Sequence, residues 1–558
     1  MSVLHFGLLL FWILVGACLR GIDLATLPPW TDEAATVVFS LGNSFYNVPL
    51  DRFIDLQTLV EPLQINPSAG INDTIDLLLT ESTHPPLYFV LTHWWLKLFP
   101  AVDGLASIWA ARSLSALFGI ISIPAIFYFT RLTCNSLAVA QIAAAIMAFS
   151  PFGVFLGLQA RHYTLIILII IASLCCFIYA WQAVERNTFV PLWLVLLWIG
   201  INSLGVATHY FFVLSLMSMA IAFIPLMYRH YRYHNIFSPA WRRIYLAALG
   251  SLIGCLVWVP SLIAVRDSSA TDWIYASNAT TRWLEPIGRF LLWLMSTVML
   301  LPSSVYDFSL SIIIISGIIT LIFWVWHLPP IVYGVKLQRQ NTNSKEAITA
   351  LSNYLLAAIA LFFLFTYSGM DLTLAGRFQF VYFPVVVVLV AVGLGHFWQL
   401  DSKLKSDSYF WLHSKNYYDK KIAIVFLAIS FLGGVVANLN LGYLQNHRPD
   451  LAVNKIVEGT KAPPAIVTSY RHHGQTGRMI ALAWGLKNLP NIDAPQFFLA
   501  QKDPAATLSQ KLAQLGRPLD LWLINFHGDV ELENQNCLPD SQYRGMVGQY
   551  QYELYRCK

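Results

Sequence analysis

The chain has 558 residues, 57% of them hydrophobic and only 12% charged, with a formal net charge of +5. Soluble domains carry about 25% charged residues, so this composition excludes a soluble globular protein and describes a polytopic membrane protein. The basic runs are short loops between apolar stretches, which leaves no nucleic-acid partner.

Crossing a hydrocarbon core of about 30 Å takes about 20 apolar residues in a helix. Such runs lie at 4–22, 105–129, 137–156, 165–181, 190–207, 210–227, 244–265, 310–328, 351–367, 380–397 and 422–437. They predict an all-α polytopic membrane protein with about eleven transmembrane helices. No Lys or Arg precedes the first run, so it reads as a retained span and not as a cleaved leader. Cys175 and Cys176 sit in mid-span as small apolar residues.

Two shorter apolar stretches, 85–99 and 287–301, carry Trp94, Trp95 and Trp293. The basic loops at Arg131, Arg186, 229–243, 336–345 and 403–421 fall on one side only if neither stretch crosses the bilayer. Both are therefore predicted as juxtamembrane helices lying in the outer interface. The result is a cytoplasmic N-terminus and an extracytoplasmic C-terminus. A transmembrane catalytic domain is expected over 1–438. Its first outer loop is 23–104 and its second large outer loop is 266–308.

From 439 to 558 the pattern changes. Short strands at 465–468, 496–500 and 519–524 alternate with helical runs at 479–486 and 505–515. That alternation predicts a small extracytoplasmic α/β accessory domain with a parallel sheet. It has no Gly-rich phosphate loop, so it is not read as a nucleotide domain. Cys537 and Cys557 flank its last segment and could pair outside the cytoplasm.

Residues with chemical potential gather on the predicted outer side. The sequence Trp30-Thr31-Asp32-Glu33-Ala34 follows the first span, with Thr31 as a candidate helix N-cap. Two adjacent carboxylates at a helix start are favoured by its dipole, and one of them could serve as a general base. His84-Pro85-Pro86-Leu87-Tyr88 fixes a histidine at a helix entry, because prolines suit the first turn. Further along come Gln159-Ala160-Arg161-His162 and Gly376-Arg377-Phe378, with Pro384 opening a late span. Trp273, Tyr275 and Trp283 read as interfacial anchors that could also stack on sugar faces or guide a lipid chain.

Taken together, these motifs resemble the membrane glycosyltransferases of the GT-C class that use polyprenyl-phosphate sugars. That group contains the protein O-mannosyltransferases and the lipid A aminoarabinose transferase. The resemblance covers roughly residues 1–400. It implies an inverting transfer of a sugar from a polyprenyl-phosphate donor to a hydroxyl- or amine-bearing acceptor, which is a protein, a lipid or a glycan. It further implies Asp32 and Glu33 as catalytic, with Asp32 the base. Arg377 and Arg161 would hold the donor phosphate, assisted by Arg266, Arg282 or Arg289, and His84, Tyr88 and His162 would position substrate. His84 stands where the aminoarabinose transferases carry a Glu-Lys pair, which weakens an amino-sugar donor. Asp32, Glu33 and His84 could also share a divalent metal.

Two rival readings come from other classes. A transporter or flippase for a lipid-linked or small solute needs ionisable groups within its spans, for which His209 at a span junction is the main candidate. A scaffold that works through its C-terminal domain leaves the Asp-Glu and His-Pro-Pro motifs unexplained.

Overall fold

The computed structural model describes residues 3–558 except 234, 267–268, 276–278, 280, 343, 400–419, 446, 488, 490–491 and 529. The chain forms two compact units. One comprises Met1–Ile22, Ser115–Arg266 and Thr271–Leu444, and the other Asp23–Leu114, Asp267–Ala270 and Gln445–Lys558. A single cut at 438 is thus not how the chain packs, since the first loop groups with the C-terminal residues. The basic loop at 403–421 lies largely outside the described residues.

Every predicted apolar run is helical, and the first unit is an integral membrane bundle. Among the described residues, seven helices are long and apolar enough to cross a membrane, or eight if one bent pair counts as a single span. The figure falls below eleven for local reasons. The run at 137–156 breaks into Leu137–Phe149 and Pro151–Gly157, bent by 52°. The run at 244–265 divides into Pro239–Leu256 and Val259–Arg266. Leu192–Thr208 and Phe383–Trp398 are apolar but shorter.

The 52° break follows from Pro151, which has no N–H to continue the helix. Ser150 caps the second piece by accepting the Gly153 N–H at 3.0 Å, and it donates to the Thr297 carbonyl at 2.6 Å. Carbonyls at the end of the first piece then need other donors. Arg20 supplies them: its guanidinium donates to the carbonyls of Met147 and Ala148, each at 2.9 Å. It is fully buried. A Cβ on Gly119 or Gly157 would come within 3.0 or 3.1 Å of its side chain, so a methyl group there would press on the arginine. Elsewhere in the bundle Ser173, Asn202 and Ser251 link three helices by hydrogen bonds of 2.7 and 2.8 Å, the polar glue expected between spans.

The second unit is built on a six-stranded mixed sheet of order β1-β3-β2-β4-β6-β5. Its strands are β1 (Ile54–Asp55), β2 (Pro464–Ser469), β3 (Gln496–Ala500), β4 (Leu519–Ile524), β5 (Cys537–Val547) and β6 (Tyr550–Cys557). The three predicted strands are the parallel centre, with β2 between β3 and β4. β6 and β5 extend one edge antiparallel, joined by a tight turn in which Gly548 and Gln549 both take positive φ. On the other edge β1, from the first loop, pairs antiparallel with β3. Cys537 and Cys557 face each other across β5 and β6 and form a disulfide. Helices His473–Leu486 and Pro504–Leu512 flank the sheet. The stretch at 85–99 contains the helix Leu87–Leu96 and that at 287–301 overlaps Leu284–Ser296. Both are too short to span.

Candidate active site

Asp32 lies in the first turn of helix Thr31–Ser40. The helix begins one residue earlier than a Thr31 cap requires: Trp30 is the N-cap, in extended geometry, and its N–H donates to Glu33 at 3.2 Å. The rest of the Glu33 carboxylate belongs to Arg112, whose Nε and Nη2 each approach one of its oxygens at 2.7 Å. The same guanidinium donates to the carbonyls of Leu24, Leu27 and Pro28 at 2.7, 2.9 and 3.2 Å. Both side chains are nearly inaccessible, 2% exposed for Glu33 and 5% for Arg112. Glu33 therefore holds the loop that presents Asp32, which is itself only partly buried.

His84 is half-exposed, with Nδ1 at 3.3 Å from the Ser82 hydroxyl. Tyr88, in the helix His84 opens into, is fully buried. His93 in the same helix reaches the Ser40 carbonyl at 2.8 Å and so fastens that helix to the end of the Asp32 helix. Glu33 is committed to Arg112, and no group of three or more His, Cys, Asp or Glu able to hold a metal occurs among the described residues. Asp32, Glu33 and His84 do not form a metal site.

A further element of this unit meets the Asp32 helix. The turn after β2 leads into helix His473–Leu486, in which Gly477 packs so tightly that an added Cβ would lie 3.2 Å from the Thr31 carbonyl oxygen.

The membrane unit holds a second constellation. Ser115 pins the turn before helix Tyr163–Glu185, since its hydroxyl donates to the Arg161 carbonyl at 2.8 Å and accepts the Arg161 N–H at 3.1 Å. Arg161 is buried, with its guanidinium carbon 5.7 Å from the centre of the Tyr163 ring. Arg377 lies on the short helix Gly376–Val381. Its guanidinium sits 5.5 Å from the Trp273 ring and 5.7 Å from Phe378, close enough for cation–π attraction.

His209 feels the charge of both arginines. It closes helix Leu192–Thr208, and its Nδ1 accepts the Phe211 N–H at 3.0 Å. The neutral ring therefore carries its proton on Nε2. Burial, Arg161 and Arg377 together push the imidazole down to about 3. The ring of His162, buried, stands 4.7 Å from that of His209, and Phe380 lies 4.9 Å away. This is a cationic centre walled by aromatic rings, suited to an anion that carries an apolar chain.

The other arginines differ. Arg289 donates to Asp371 at 2.6 Å and to the Thr373 hydroxyl at 3.1 Å, which braces the segment leading to Arg377. Arg282 pairs with Glu285 at an exposed surface. The side chain of Arg266 lies outside the described residues. His209 appeared in the sequence only as a feature of a transporter reading. Arg112 gave no sign of its role, because its partner is 79 positions away.

No family model and no curated protein matches the sequence. Among solved structures, ArnT from Cupriavidus metallidurans bound to undecaprenyl phosphate superposes with a TM-score of 0.51 at 11% identity, covering 99% of this chain and 98% of that one. The fold is shared from end to end. Apo ArnT from the same organism gives 0.50 at 12% identity over the same 99% and 98%. The archaeal oligosaccharyltransferase AglB from Archaeoglobus fulgidus, in complex with an inhibitory peptide and a dolichol-phosphate, gives 0.48 at 12% identity and covers 99% of this chain against 74% of that one. The chain thus shares the membrane fold of ArnT over nearly the whole length of both chains.

Proposed function

We propose that the protein is an inverting glycosyltransferase that moves a sugar from a polyprenyl-phosphate donor to a hydroxyl- or amine-bearing acceptor at the extracytoplasmic membrane face. The observation that carries this reading is the gathering of Arg161, Arg377 and neutral His209 inside an aromatic wall. The match in fold to ArnT, which binds undecaprenyl phosphate, supports the donor class. The disulfide between Cys537 and Cys557 supports an extracytoplasmic C-terminus, since such bonds persist in oxidising compartments.

The chemistry asks little of the protein beyond charge and orientation. The acceptor oxygen or nitrogen attacks the anomeric carbon while the bond from that carbon to the phosphate oxygen breaks. The acceptor proton passes to the Asp32 carboxylate. The leaving polyprenyl phosphate keeps the electron pair and is stabilised by fixed positive charge, the effect that usually does most to lower the barrier of such a step. Arg161 and Arg377 supply that charge, with planar donors that match phosphate, and the His209 Nε2–H adds a neutral donor. His84 and His162 position substrate. Glu33 acts through Arg112 by fixing the helix that carries Asp32. Tyr88 serves from within the core by setting the helix that follows His84.

The test uses the full chain in lipid nanodiscs with undecaprenyl phosphate as the probe. Native mass spectrometry should detect bound undecaprenyl phosphate in the wild type and in Asp32→Asn, with a loss of about tenfold or more in affinity for Arg377→Ala. Equal binding by Arg377→Ala would remove the phosphate assignment. In membranes supplying donor and acceptor, Asp32→Asn should abolish sugar transfer, and transfer by that variant would remove the base.

A further inference from the structure

Helix His473–Leu486 of the C-terminal domain carries a buried glycine at 477, in its interior, and another at 485. Glycine is the poorest helix former after proline, so it persists within a helix for a packing or functional reason. Resting on the reading of Asp32 as the base, we propose that Gly477 is a positioning residue for it. Through Gly477 the C-terminal domain sets the Thr31–Asp32 peptide and so aims the carboxylate at the acceptor.

Residues 473, 477, 481 and 485 recur at every fourth position and line one ridge of the helix. At one end of the ridge the His473 ring meets the edge of Phe39, with centroids 5.8 Å apart. A Cβ on Gly477 would stand 3.2 Å from both the carbonyl oxygen and the Cγ2 of Thr31, and 3.5 Å from its Cα. Ala481 is fully buried. A Cβ on Gly485 would stand 3.3 Å from Pro28 Cγ. The ridge thus follows the chain from Pro28 to Phe39, and its contact at 477 falls on the first turn of helix Thr31–Ser40, where Asp32 sits. The oxygen that Gly477 faces belongs to the peptide bond joining Thr31 to Asp32.

The same stretch is clamped by other groups. Arg112 donates to the carbonyls of Leu27 and Pro28 at 2.9 and 3.2 Å, and to both oxygens of Glu33 at 2.7 Å. Trp30 stacks on His447, with centroids 5.0 Å apart and planes at 19°. The Thr36 hydroxyl donates to the Asp32 carbonyl at 3.0 Å. The Thr31–Asp32 peptide therefore has little freedom to retreat, and hydrogen at 477 sets how near the C-terminal helix comes to it. A methyl group there would require the contact to give by a few tenths of an ångström. A general base works within about 2.6–3.2 Å of the atom whose proton it takes, and such a shift uses up much of that range.

Gly477→Ala and Gly477→Val add one and three carbons at the contact. Sugar transfer in membranes supplying donor and acceptor should show kcat reduced about fivefold by Gly477→Ala and about thirtyfold or more by Gly477→Val. Donor KM should not change. Bound undecaprenyl phosphate, read by native mass spectrometry of the full chain in nanodiscs, should match the wild type in both. The thermal midpoint of Gly477→Ala should not fall, since alanine is the better helix former. Thr31→Ser removes the Cγ2 methyl, and combined with Gly477→Ala it should restore part of kcat. Gly516→Ala, with nothing within 4 Å of the added carbon, should leave kcat unchanged.

Wild-type kcat in both Gly477 variants would overturn the proposal, as would an equal loss in Gly516→Ala or a loss that Thr31→Ser does not relieve. A thermal midpoint or donor binding that falls together with kcat in Gly477→Ala would make 477 a packing position only, and would overturn it too. Asp32→Asn separates the two readings. Turnover in that variant sinks the base itself, whereas an inactive Asp32→Asn beside fully active Gly477 variants sinks only the role of Gly477.

Discussion

Arg112 holds both oxygens of Glu33 at 2.7 Å, in a place where neither side chain is more than 5% exposed. The pair ties the first turns of helix Ile108–Cys134 to the beginning of the first loop, and the same guanidinium gathers three carbonyls from the turn before Asp32. Removing one partner of such a pair strands a charge, at a cost of about 3–5 kcal/mol. Glu33→Ala and Arg112→Ala should each lower the thermal midpoint markedly. Asp32→Asn should leave it nearly unchanged, because Asp32 is partly exposed. Thermal unfolding of the purified variants checks the contrast, and equal midpoints for Asp32→Asn and Glu33→Ala would contradict it.

Acid should weaken both units through their imidazoles. His209 is held down at about 3 by burial, Arg161 and Arg377, and His473 at about 4 by burial and His472 against the pull of Asp32. Both would titrate near 6.5 in the unfolded chain. Between the folded and unfolded values the unfolded chain binds protons that the folded chain refuses, so stability rises with pH across that window. The contribution is complete above about pH 6.5 and is lost as the pH falls toward 4 for His473 and toward 3 for His209. From pH 6.5 to 5 the loss is about 2 kcal/mol per imidazole. Thermal midpoints should fall over that range, and His209→Phe should flatten the slope.

The parts of this molecule legible in its sequence are those with local signals. Apolar runs mark helices by composition alone, and Pro85-Pro86 marks a helix entry by its missing donors. The strand-and-helix alternation after residue 460 gives the parallel β2, β3 and β4. What stayed hidden depends on distance. Two residues of the first loop, Ile54 and Asp55, add an edge strand to a sheet whose other members begin at Pro464, and a two-residue strand has no periodicity to read. β5 contains Pro539 and exposes most of its residues, so its pattern resembles a loop. Asp32 and Arg377 could be singled out as candidates from their flanking motifs. The ion pair of Glu33 was not legible, because nothing near it announced Arg112.

The disulfide should matter most to the second unit. Cys537 and Cys557 close 20 residues of chain across β5 and β6, and a loop of that size is worth about 3 kcal/mol. Reduction, or Cys537→Ser with Cys557→Ser, should lower the unfolding midpoint of this unit. Limited proteolysis of the intact chain would then cut first within 525–558. Cleavage unaffected by reductant would show that sheet pairing alone secures this edge.

Arg20 offers the sharpest test of how the membrane unit is built. A buried guanidinium that donates to backbone carbonyls replaces the helix bonds that Pro151 eliminates, and Gly119 and Gly157 leave it just enough room. Arg20→Leu would leave the carbonyls of Met147 and Ala148 without these donors in an apolar interior, costing about 1–3 kcal/mol for each. Arg20→Lys keeps the charge but cannot reach both carbonyls with a planar fork, and should recover only part of the loss. Gly157→Ala should act in the same direction, since the added methyl meets the Arg20 stem. Arg282→Ala, at an exposed pair with Glu285, should shift stability by less than about 1 kcal/mol. Thermal unfolding in nanodiscs, with size-exclusion profiles to confirm monodispersity, orders the four variants. A midpoint for Arg20→Leu as high as that of Arg282→Ala would mean that the bend at Ser150 is held by something other than this arginine.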